Sequence, residues 1–281
     1  MSRIAVVGDD VLAVALARQL ATSTAEVAHH PLRSLTSVRG VHSTLRLLSP
    51  VAEQLNRERT AMSAWRSLET ETGAALLTGV DAVEVGPAST VAATLRATLD
   101  GDAAAPMSPM EAARRWPAIR FDGTVAHQPA ARRIDLALAR TALRRSAVSL
   151  GARFATAPVK RAWLTTSGEV ELLDAQGWHH YDAAVVVTDS RDRAALGCLP
   201  TDLAMSTVLT VSPIGPAAGW PSVVHHTGLP ADPDGFRIAG ACAEVQGSRV
   251  ELALTIASGT DAAGLLWEYA VRWLPGTIVG G

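Results

Sequence analysis

Residues 3–21 read Arg3-Ile-Ala-Val-Val-Gly-Asp-Asp-Val-Leu-Ala-Val-Ala-Leu-Ala-Arg-Gln-Leu-Ala21, and this stretch decides the fold. The apolar run Ile4 to Val7 has the length and composition of a buried parallel strand. Gly8 interrupts the run, and from Val11 onward small and apolar residues recur at helical spacing. Glu26 to His29 then predicts a second short strand. The order of strand, glycine turn, helix and strand indicates the βαβ unit that opens a Rossmann-type, dinucleotide-binding fold.

The turn between the first strand and the helix departs from the dinucleotide-binding pattern at its middle position. That pattern uses three small residues, which make the tight turn, admit a diphosphate to the backbone and let the helix pack on the strand. Gly8 and Ala13 satisfy the first and third requirements. Asp10 stands at the second, and together with Asp9 it can satisfy the helix dipole in place of a phosphate.

The end of the second strand lacks another expected side chain. In this fold an acidic residue roughly twenty positions after the turn binds the ribose hydroxyls. His29 and His30 stand there instead. We therefore expect an intact βαβ scaffold in which this chain alone binds FAD or NAD weakly or not at all.

Composition narrows the class of protein. The chain has 281 residues, of which 48% are hydrophobic and 19% charged, and these values suit a globular protein of two interleaved domains. A net charge of −2 gives no basic field for nucleic acid or an anionic membrane, and no apolar run is long enough for a transmembrane helix. No secretory leader is expected at the N-terminus. Cys198 and Cys242 have no metal or redox spacing, which suits a reducing cytoplasm.

Hydrophobic periodicity divides the rest of the chain. We expect residues 1–80 and 118–200 to form the nucleotide-binding domain and residues 81–117 and 201–281 to form a substrate domain. Ala183 to Val187 is an apolar strand that can rejoin the parallel sheet. Helices are predicted over 51–77, 91–99, 109–116, 134–150 and 262–273, and the third of them has Ser108 as its N-cap and Pro109 as its first residue. Four segments with period-two alternation predict an antiparallel sheet in the substrate domain, namely 207–211, 222–226, 236–241 and 250–256.

Five segments carry a family resemblance. They are Trp65-Arg-Ser-Leu-Glu-Thr-Glu-Thr-Gly73, Leu77-Thr-Gly79, Arg114-Arg-Trp-Pro-Ala-Ile119, Leu150-Gly-Ala-Arg153 and Tyr181-Asp-Ala-Ala-Val-Val-Val187. In order, spacing and residue type they resemble the FAD-dependent D-amino-acid oxidase superfamily, most closely its sarcosine oxidase and glycine oxidase branch. The resemblance implies an α/β fold in which a glutathione-reductase-like FAD-binding domain is interleaved with an antiparallel substrate domain. It also implies oxidation of an amine or amino-acid C–N bond by flavin.

The resemblance also assigns residues to the cofactor side of the fold. The positions are Gly8, Asp10, Ala13, His29, Val159 and Asp189. Asp189 replaces a family glycine, and Pro129-Ala-Ala-Arg-Arg133 replaces a Gly-rich segment near the flavin. The chain ends soon after Pro275-Gly276, so the family segment that covers the flavin ring is expected to be missing. These departures fall on one side of the cofactor and indicate relaxed or redirected function, unless a partner chain supplies the missing part.

Three residues are candidates for catalysis or substrate binding. Arg46 matches an arginine that binds the substrate carboxylate in sarcosine oxidases, although a surface-loop arginine is an equal alternative. His42 in the same loop is a candidate acid or base, with a solvated histidine as the alternative. Glu251 aligns near the family lysine that assists oxygen activation, and the only lysine of the chain, Lys160, lies elsewhere.

Histidine doublets and C-terminal tryptophans are the candidates for metal binding and partner binding. Three histidine doublets occur, His29-His30, His179-His180 and His225-His226. Neighbouring side chains on a strand point in opposite directions, so no doublet can chelate a metal by itself. Trp267 and Trp273 near the C-terminus are candidates for a homo- or hetero-oligomeric surface.

Three functions therefore remain open from the sequence. The first is a degenerate oxidase that keeps a pocket for a small amino acid or amine but has lost tight FAD binding. The second is a genuine FAD-dependent oxidase, completed by a partner subunit where necessary. The third is a non-catalytic subunit of an oxidase complex.

Overall fold

The structure is a computed structural model that describes residues 2–32, 44–49, 51–98, 104–187, 205–213, 220–226, 241–246, 249–256, 262–275 and 277–278. The helices are α1 (Val11–Ala21), α2 (Ala52–Thr72), α3 (Ala88–Thr98), α4 (Pro109–Arg115), α5 (Leu136–Ser149) and α6 (Ala262–Trp273). The strands of the first half are β1 (Arg3–Val7), β2 (Glu26–His30), β3 (Thr44–Leu45), β4 (Leu77–Gly86), β5 (Ala105–Met107), β6 (Thr124–Ile134) and β7 (Arg153–Phe154). The remaining strands are β8 (Arg161–Leu164), β9 (Val170–Leu173), β10 (Trp178–Tyr181), β11 (Ala183–Val186), β12 (Met205–Pro213), β13 (Ser222–His225), β14 (Ala241–Gln246), β15 (Arg249–Ile256) and β16 (Thr277–Ile278).

The first of two compact units contains residues 1–40, 66–76 and 135–201. Its four-stranded sheet has the order β11-β1-β2-β7, and every pairing in it is parallel. Ile4 of β1 lies opposite Ala183 of β11 on one side and Val27 of β2 on the other. The apolar strand at residue 183 thus rejoins the parallel sheet as the sequence predicts, and the βαβ unit at the start of the chain is confirmed.

Alternate residues of β1 face two separate cores of this unit. Val6 packs with Ala13 and Ala17 of α1 and with Ala147 of α5. Val7 packs on the other face, in a cluster with residues of the β8–β9–β10 sheet. The short side chains of α1 let this helix approach the sheet closely, which leaves the carboxyl ends of β1 and β2 as the place where a site can form.

The second unit contains residues 41–65, 77–134 and 202–281. Its sheet has the order β16-β12-β15-β14-β13-β4-β6-β3, with β5 also paired to β6. The pairings are antiparallel except that of β4 with β13, which is parallel. The sheet of the second unit is therefore mixed and not purely antiparallel, because β4 pairs with a strand from the last third of the chain.

Strand β6 is longer than the sequence indicates. The sequence pattern predicts a strand over residues 123–127, and Pro129 just beyond it lacks the N–H that a ladder requires. In the structure Val80 lies opposite Ala131 and Ala82 opposite Gln128, so one residue of β4 faces two residues of β6. This β-bulge accommodates the proline and lets the strand continue to Ile134.

The two units also differ from the division expected from sequence. Residues 81–117 and 202–281 lie in the second unit. Residues 41–65 and 118–134 lie there too, because β3 and β6 pair with each other and β6 pairs with β4.

Local sequence signals predict the ends of some helices and miss others. The Ser108 hydroxyl accepts a hydrogen bond from the Glu111 N–H, with Pro109 at the first helical position, which confirms the predicted start of α4. Helix α6 also has its predicted bounds. Helix α2 ends at Thr72, five residues earlier than expected, because Gly73 has a φ of +69° and stops it. None of the helices in the described part of the chain is long and apolar enough to cross a membrane.

Candidate functional site

The turn after β1 packs tightly against the end of β11. Gly8 has a φ of +156°, and a Cβ at this position would lie 2.5 Å from the Val187 carbonyl oxygen and 2.9 Å from the Ala13 Cβ. Ala13 is fully buried. Gly8 and Ala13 therefore meet the packing requirements of the βαβ turn. Their role as cofactor ligands remains a prediction.

Asp10 closes the N-terminus of α1. Its backbone is extended, with φ −84° and ψ 173°, and its carboxylate accepts a hydrogen bond from the Ala13 N–H at 2.7 Å. Its carbonyl oxygen accepts from the Val14 N–H at 3.3 Å. Asp10 is thus the N-cap, and its negative charge lies where the helix dipole would favour a phosphate.

His29 is buried at the carboxyl end of β2. Only 5% of its surface is exposed, and its ring stacks on Phe154 of β7 with centroids 4.7 Å apart. Neither ring nitrogen has a hydrogen bond of normal geometry among the described residues. Burial lowers the pKa of His29 to about 4, against a smaller opposing effect of the Gly8 backbone. The ring is therefore neutral near pH 7.

A cleft of about 330 Å³ opens at this edge of the parallel sheet. Its lining residues are Asp9, Val14, His29, Pro31, Arg140, Arg144, Phe154, Ala155 and Thr156. Arg140 donates to the Asp9 carbonyl oxygen at 3.2 Å, and the Arg144 guanidinium lies 4.9 Å from the centre of the Phe154 ring. Sequence reasoning found His29 but missed both arginines. Their i, i+4 spacing on a predicted helix was the only signal available.

The neighbouring His30 faces the opposite side of the sheet. Its Nε2 lies 2.6 Å from the Tyr181 hydroxyl, and its ring centre lies 5.4 Å from that of His179. His179 in turn lies 3.0 Å from the buried Asp174 carboxylate. Burial, together with His179, lowers the pKa of His30. His29 and His30 thus point in opposite directions, and the described residues contain no group of three or more His, Cys, Asp or Glu side chains that could hold a metal ion.

In the second unit, the predicted substrate arginine lies beside a carboxyl group. Arg46 follows β3 and is half-buried. Burial raises the pKa of Glu58 on α2, and the charge and backbone of Arg46 oppose this shift. The proximity of a partly buried carboxyl group distinguishes Arg46 from an arginine on a solvated loop.

Of the other four expected site residues, two lie outside the described residues and two lie elsewhere in the fold. His42 and Asp189 lie outside the described residues. Glu251 lies in β15, where its backbone pairs with Thr210 and with Glu244. Val159 is buried in the core on the far side of the parallel sheet from α1, and its N–H donates to the Pro31 carbonyl.

The C-terminal tryptophans differ in exposure. Trp273 is only 2% exposed, and its indole N–H donates to Asp122 at 3.0 Å, so the expectation that it offers a partner surface is wrong. It stacks on Tyr269 in the core of the second unit because α6 packs this face onto the sheet. Trp267 is 40% exposed and remains a candidate.

Comparisons with solved structures agree with this architecture. The chain is similar to L-proline dehydrogenase from P. horikoshii, with 16% identity, a TM-score of 0.69, and coverage of 98% of this chain and 77% of that one. It is similar to iminodiacetate oxidase from Chelativorans sp. BNC1, with 18% identity, a TM-score of 0.69, and coverage of 98% and 81%. It is also similar to glycine oxidase from Geobacillus kaustophilus, with 17% identity, a TM-score of 0.61, and coverage of 100% and 81%. No family model and no curated protein matches the sequence.

These similarities establish the fold. The chain has the fold of amino-acid and amine oxidases, in which a Rossmann-type domain is combined with a substrate domain. The expected resemblance to the sarcosine and glycine oxidase branch of the D-amino-acid oxidase superfamily is confirmed at that level. The identities of 16 to 18% carry no further conclusion about activity.

Proposed function

We propose that this protein is a degenerate member of the FAD-dependent amine and amino-acid oxidoreductases. In this proposal the fold persists, FAD binding is lost or weakened, and a pocket for a small amino acid or amine remains. The observation that carries the proposal is the 2.7 Å hydrogen bond between the Asp10 carboxylate and the Ala13 N–H.

The residues of the βαβ turn do not fit a dinucleotide diphosphate. A diphosphate at this turn needs the backbone N–H groups at the start of α1 and a small residue beside them. The Asp10 carboxylate already accepts from one of these groups and adds a negative charge at the same place. Binding would require Asp10 to rotate away and two anionic groups to approach each other, and both effects weaken affinity.

His29 further supports weakened binding. An acidic residue at the end of β2 would accept hydrogen bonds from both ribose hydroxyls. A neutral imidazole offers one donor and one acceptor, and it has no charge to strengthen either bond. The His29 ring also stacks on Phe154, which fixes it in place.

Arg46 supports the retained pocket. A guanidinium binds a carboxylate through two parallel hydrogen bonds, and it is the expected anchor for an amino-acid substrate. Glu58 beside it can accept a hydrogen bond from a substrate ammonium group. Together they offer a cationic partner for the carboxylate and a hydrogen-bond acceptor for the ammonium group of a small amino acid.

Absorption spectroscopy of the purified full chain, before and after incubation with excess FAD and desalting, tests the cofactor part. We expect no flavin bands in the wild type. The double variant D10G/H29E removes the competing carboxylate and restores an acid at β2, so it should gain FAD affinity by about tenfold or more. D135G is the matched control, because Asp135 caps α5 in the same way but lies outside the turn. Flavin bands that survive desalting in the wild type would instead establish a genuine flavoenzyme.

Calorimetry with glycine, L-proline and iminodiacetate tests the pocket. Binding of at least one of them should be lost in R46Q and kept in R57Q, in which a well-exposed arginine that pairs with Glu53 is replaced. Equal binding by both variants would remove Arg46 from the site. Co-purification of a second chain, with no binding of these ligands by the protein alone, would favour a non-catalytic subunit.

A further inference from the structure

We propose that the cleft in the first unit binds a compact sugar phosphate, with its phosphate on Arg140 and Arg144 and its hydroxyl groups on His29. The inference rests on the proposed function, because it requires that no dinucleotide fills the cleft. The proposal gives the cleft at the carboxyl ends of β1 and β2 a ligand other than a dinucleotide. It places the anion site beside α5 and not at the start of α1.

The two arginines form a cationic wall. They are four residues apart on α5, so their side chains lie on one face of the helix, one turn from each other. The bond from Arg140 to the Asp9 carbonyl oxygen uses one of its five N–H donors. Neither guanidinium forms an ion pair within the described part of the chain. Planar guanidinium groups bind phosphate oxygens through paired hydrogen bonds. A terminal phosphate has enough oxygens to accept one such pair from each arginine.

His29 supplies a second, independent indication of a ligand. Its ring is about nineteen-twentieths buried, lines the cleft and leaves both nitrogens without a hydrogen bond of normal geometry among the described residues. A buried polar group without a partner is costly, and a ligand that supplied one would recover that free energy. Because the neutral ring carries one donor and one acceptor, a hydroxyl group is its natural partner.

Size and charge limit the ligand to one phosphate. A cleft of about 330 Å³ lies near the lower end of the range for small-molecule sites. Asp9 lines the cleft beside the arginines, and Asp10 occupies the end of α1, so a second phosphate would meet carboxylates and no free cation. The apolar side chains of Val14, Pro31 and Phe154 complete the lining and suit the carbon face of a sugar.

Titration calorimetry on the full chain with ribose 5-phosphate, inorganic phosphate and ribose tests the proposal. Ribose 5-phosphate should bind about tenfold or more tightly than phosphate, and ribose alone should not bind measurably. R140Q and R144Q should each weaken ribose 5-phosphate by about ten- to a hundredfold, since each loses a charge-assisted pair of hydrogen bonds. R145Q is the matched control, because Arg145 is an exposed arginine on the same helix that does not line the cleft. Its affinity should equal that of the wild type.

A second measurement follows the His29 ring directly. In the NMR spectrum of the histidine rings, ribose 5-phosphate should shift the His29 resonances, whereas phosphate should leave them nearly unchanged. H29F keeps the stacking on Phe154 and should bind ribose 5-phosphate no more tightly than the wild type binds phosphate. Equal affinities for ribose 5-phosphate and phosphate, equal losses in R145Q and R144Q, or no binding at all would each overturn the proposal. The proposed function is tested separately, because these titrations contain no flavin. Flavin bands in the desalted wild type would contradict the proposed function.

Discussion

The Asp10 carboxylate lies 2.7 Å from the backbone nitrogen of Ala13, so the first helix of the chain supplies its own anion at its N-terminus. Asp135 does the same for α5, where its carboxylate lies 2.9 Å from the Leu138 nitrogen. The chain therefore contains one cap at a dinucleotide-binding position and one at an ordinary helix start, and the two can be compared directly.

Replacement of either cap by alanine should destabilise the first unit. We expect D10A and D135A each to lower the free energy of unfolding by about 1 kcal/mol, because each leaves a helix N–H without its side-chain partner. Urea unfolding followed by circular dichroism measures the loss. A D10A variant as stable as the wild type would show that the Asp10 cap contributes nothing to folding and is free for another role.

Gly8 should not tolerate a side chain. G8A forces a Cβ to within 2.5 Å of the Val187 carbonyl oxygen, and we expect a loss of about 2 to 3 kcal/mol in unfolding free energy. G168A is the control for backbone strain alone, since Gly168 has a φ of +87° and open space around it. It should cost only about 1 to 2 kcal/mol. If both variants lost the same amount, the close approach of β11 to the turn would be contradicted.

Within the first unit, a polar network links α1, α5 and the C-terminal end of α2. Arg18 of α1 donates to Ser146 of α5 at 2.7 Å and to Glu71 of α2 at 2.6 Å, and Ser146 also bonds to Glu71. Those bonds from Ser146 and Arg18 lower the pKa of Glu71. S146A should cost about 1 to 2 kcal/mol, because it removes both bonds of a buried hydroxyl.

The control for this network is S149A, which changes an exposed serine one turn later that bonds only to a backbone carbonyl. It should leave thermal stability within about 0.5 kcal/mol of the wild type. A loss in S149A as large as that in S146A would mean that the helix, and not the network, carries the effect.

Stability should fall as the pH drops from about 6.5 to about 4. Burial lowers the pKa of His29 and of His225 to about 4 each, although Asp122 opposes the shift at His225. In both cases the unfolded chain binds a proton that the folded chain does not, so unfolding is favoured by acid within this window and is insensitive to these groups above it. Each ring contributes at most about 3 kcal/mol.

Urea unfolding at a series of pH values, on the wild type and on H29F, measures this dependence. H29F should flatten the slope between pH 6.5 and 4 by up to one proton. H180Q, in which the replaced side chain is mostly exposed, should keep the wild-type slope. An unchanged slope in H29F would show that His29 binds its proton over the same pH range in the folded and the unfolded protein, and that its pKa is not lowered by folding.

The sequence predicts local structure well where one element carries its own signals. Ser108 and Pro109 define the start of α4, and the parallel strand at Ala183 is recognised from its apolar run. The sequence-based prediction fails where a residue distant in the chain determines the local structure or the burial. Pro129 is a strand breaker on its own, but the bulge opposite β4 accommodates it. Trp273 looks like a surface residue until Asp122, from the middle of the chain, is found bonded to it.

The residues of the candidate site also differ in whether a local sequence pattern predicts them. Asp10 and His29 are recognisable because the βαβ pattern fixes their positions relative to Gly8. Arg140 and Arg144 follow more than a hundred residues later on another helix, and only the packing of α5 beside α1 brings them to His29. Local sequence patterns do not indicate which helices pack together, so the cationic wall is visible only in the structure.

The central position of β1 has a consequence for synthesis in the cell. Its parallel partner β11 begins at residue 183, so the sheet cannot close while the ribosome is still making the middle of the chain. Until then one edge of the strongly apolar strand β1 stays unpaired. The chain between β1 and β11 passes through segments of both units. Parallel pairing over such a distance folds slowly and exposes the nascent chain to aggregation, so chaperone dependence should be greatest before β11 emerges.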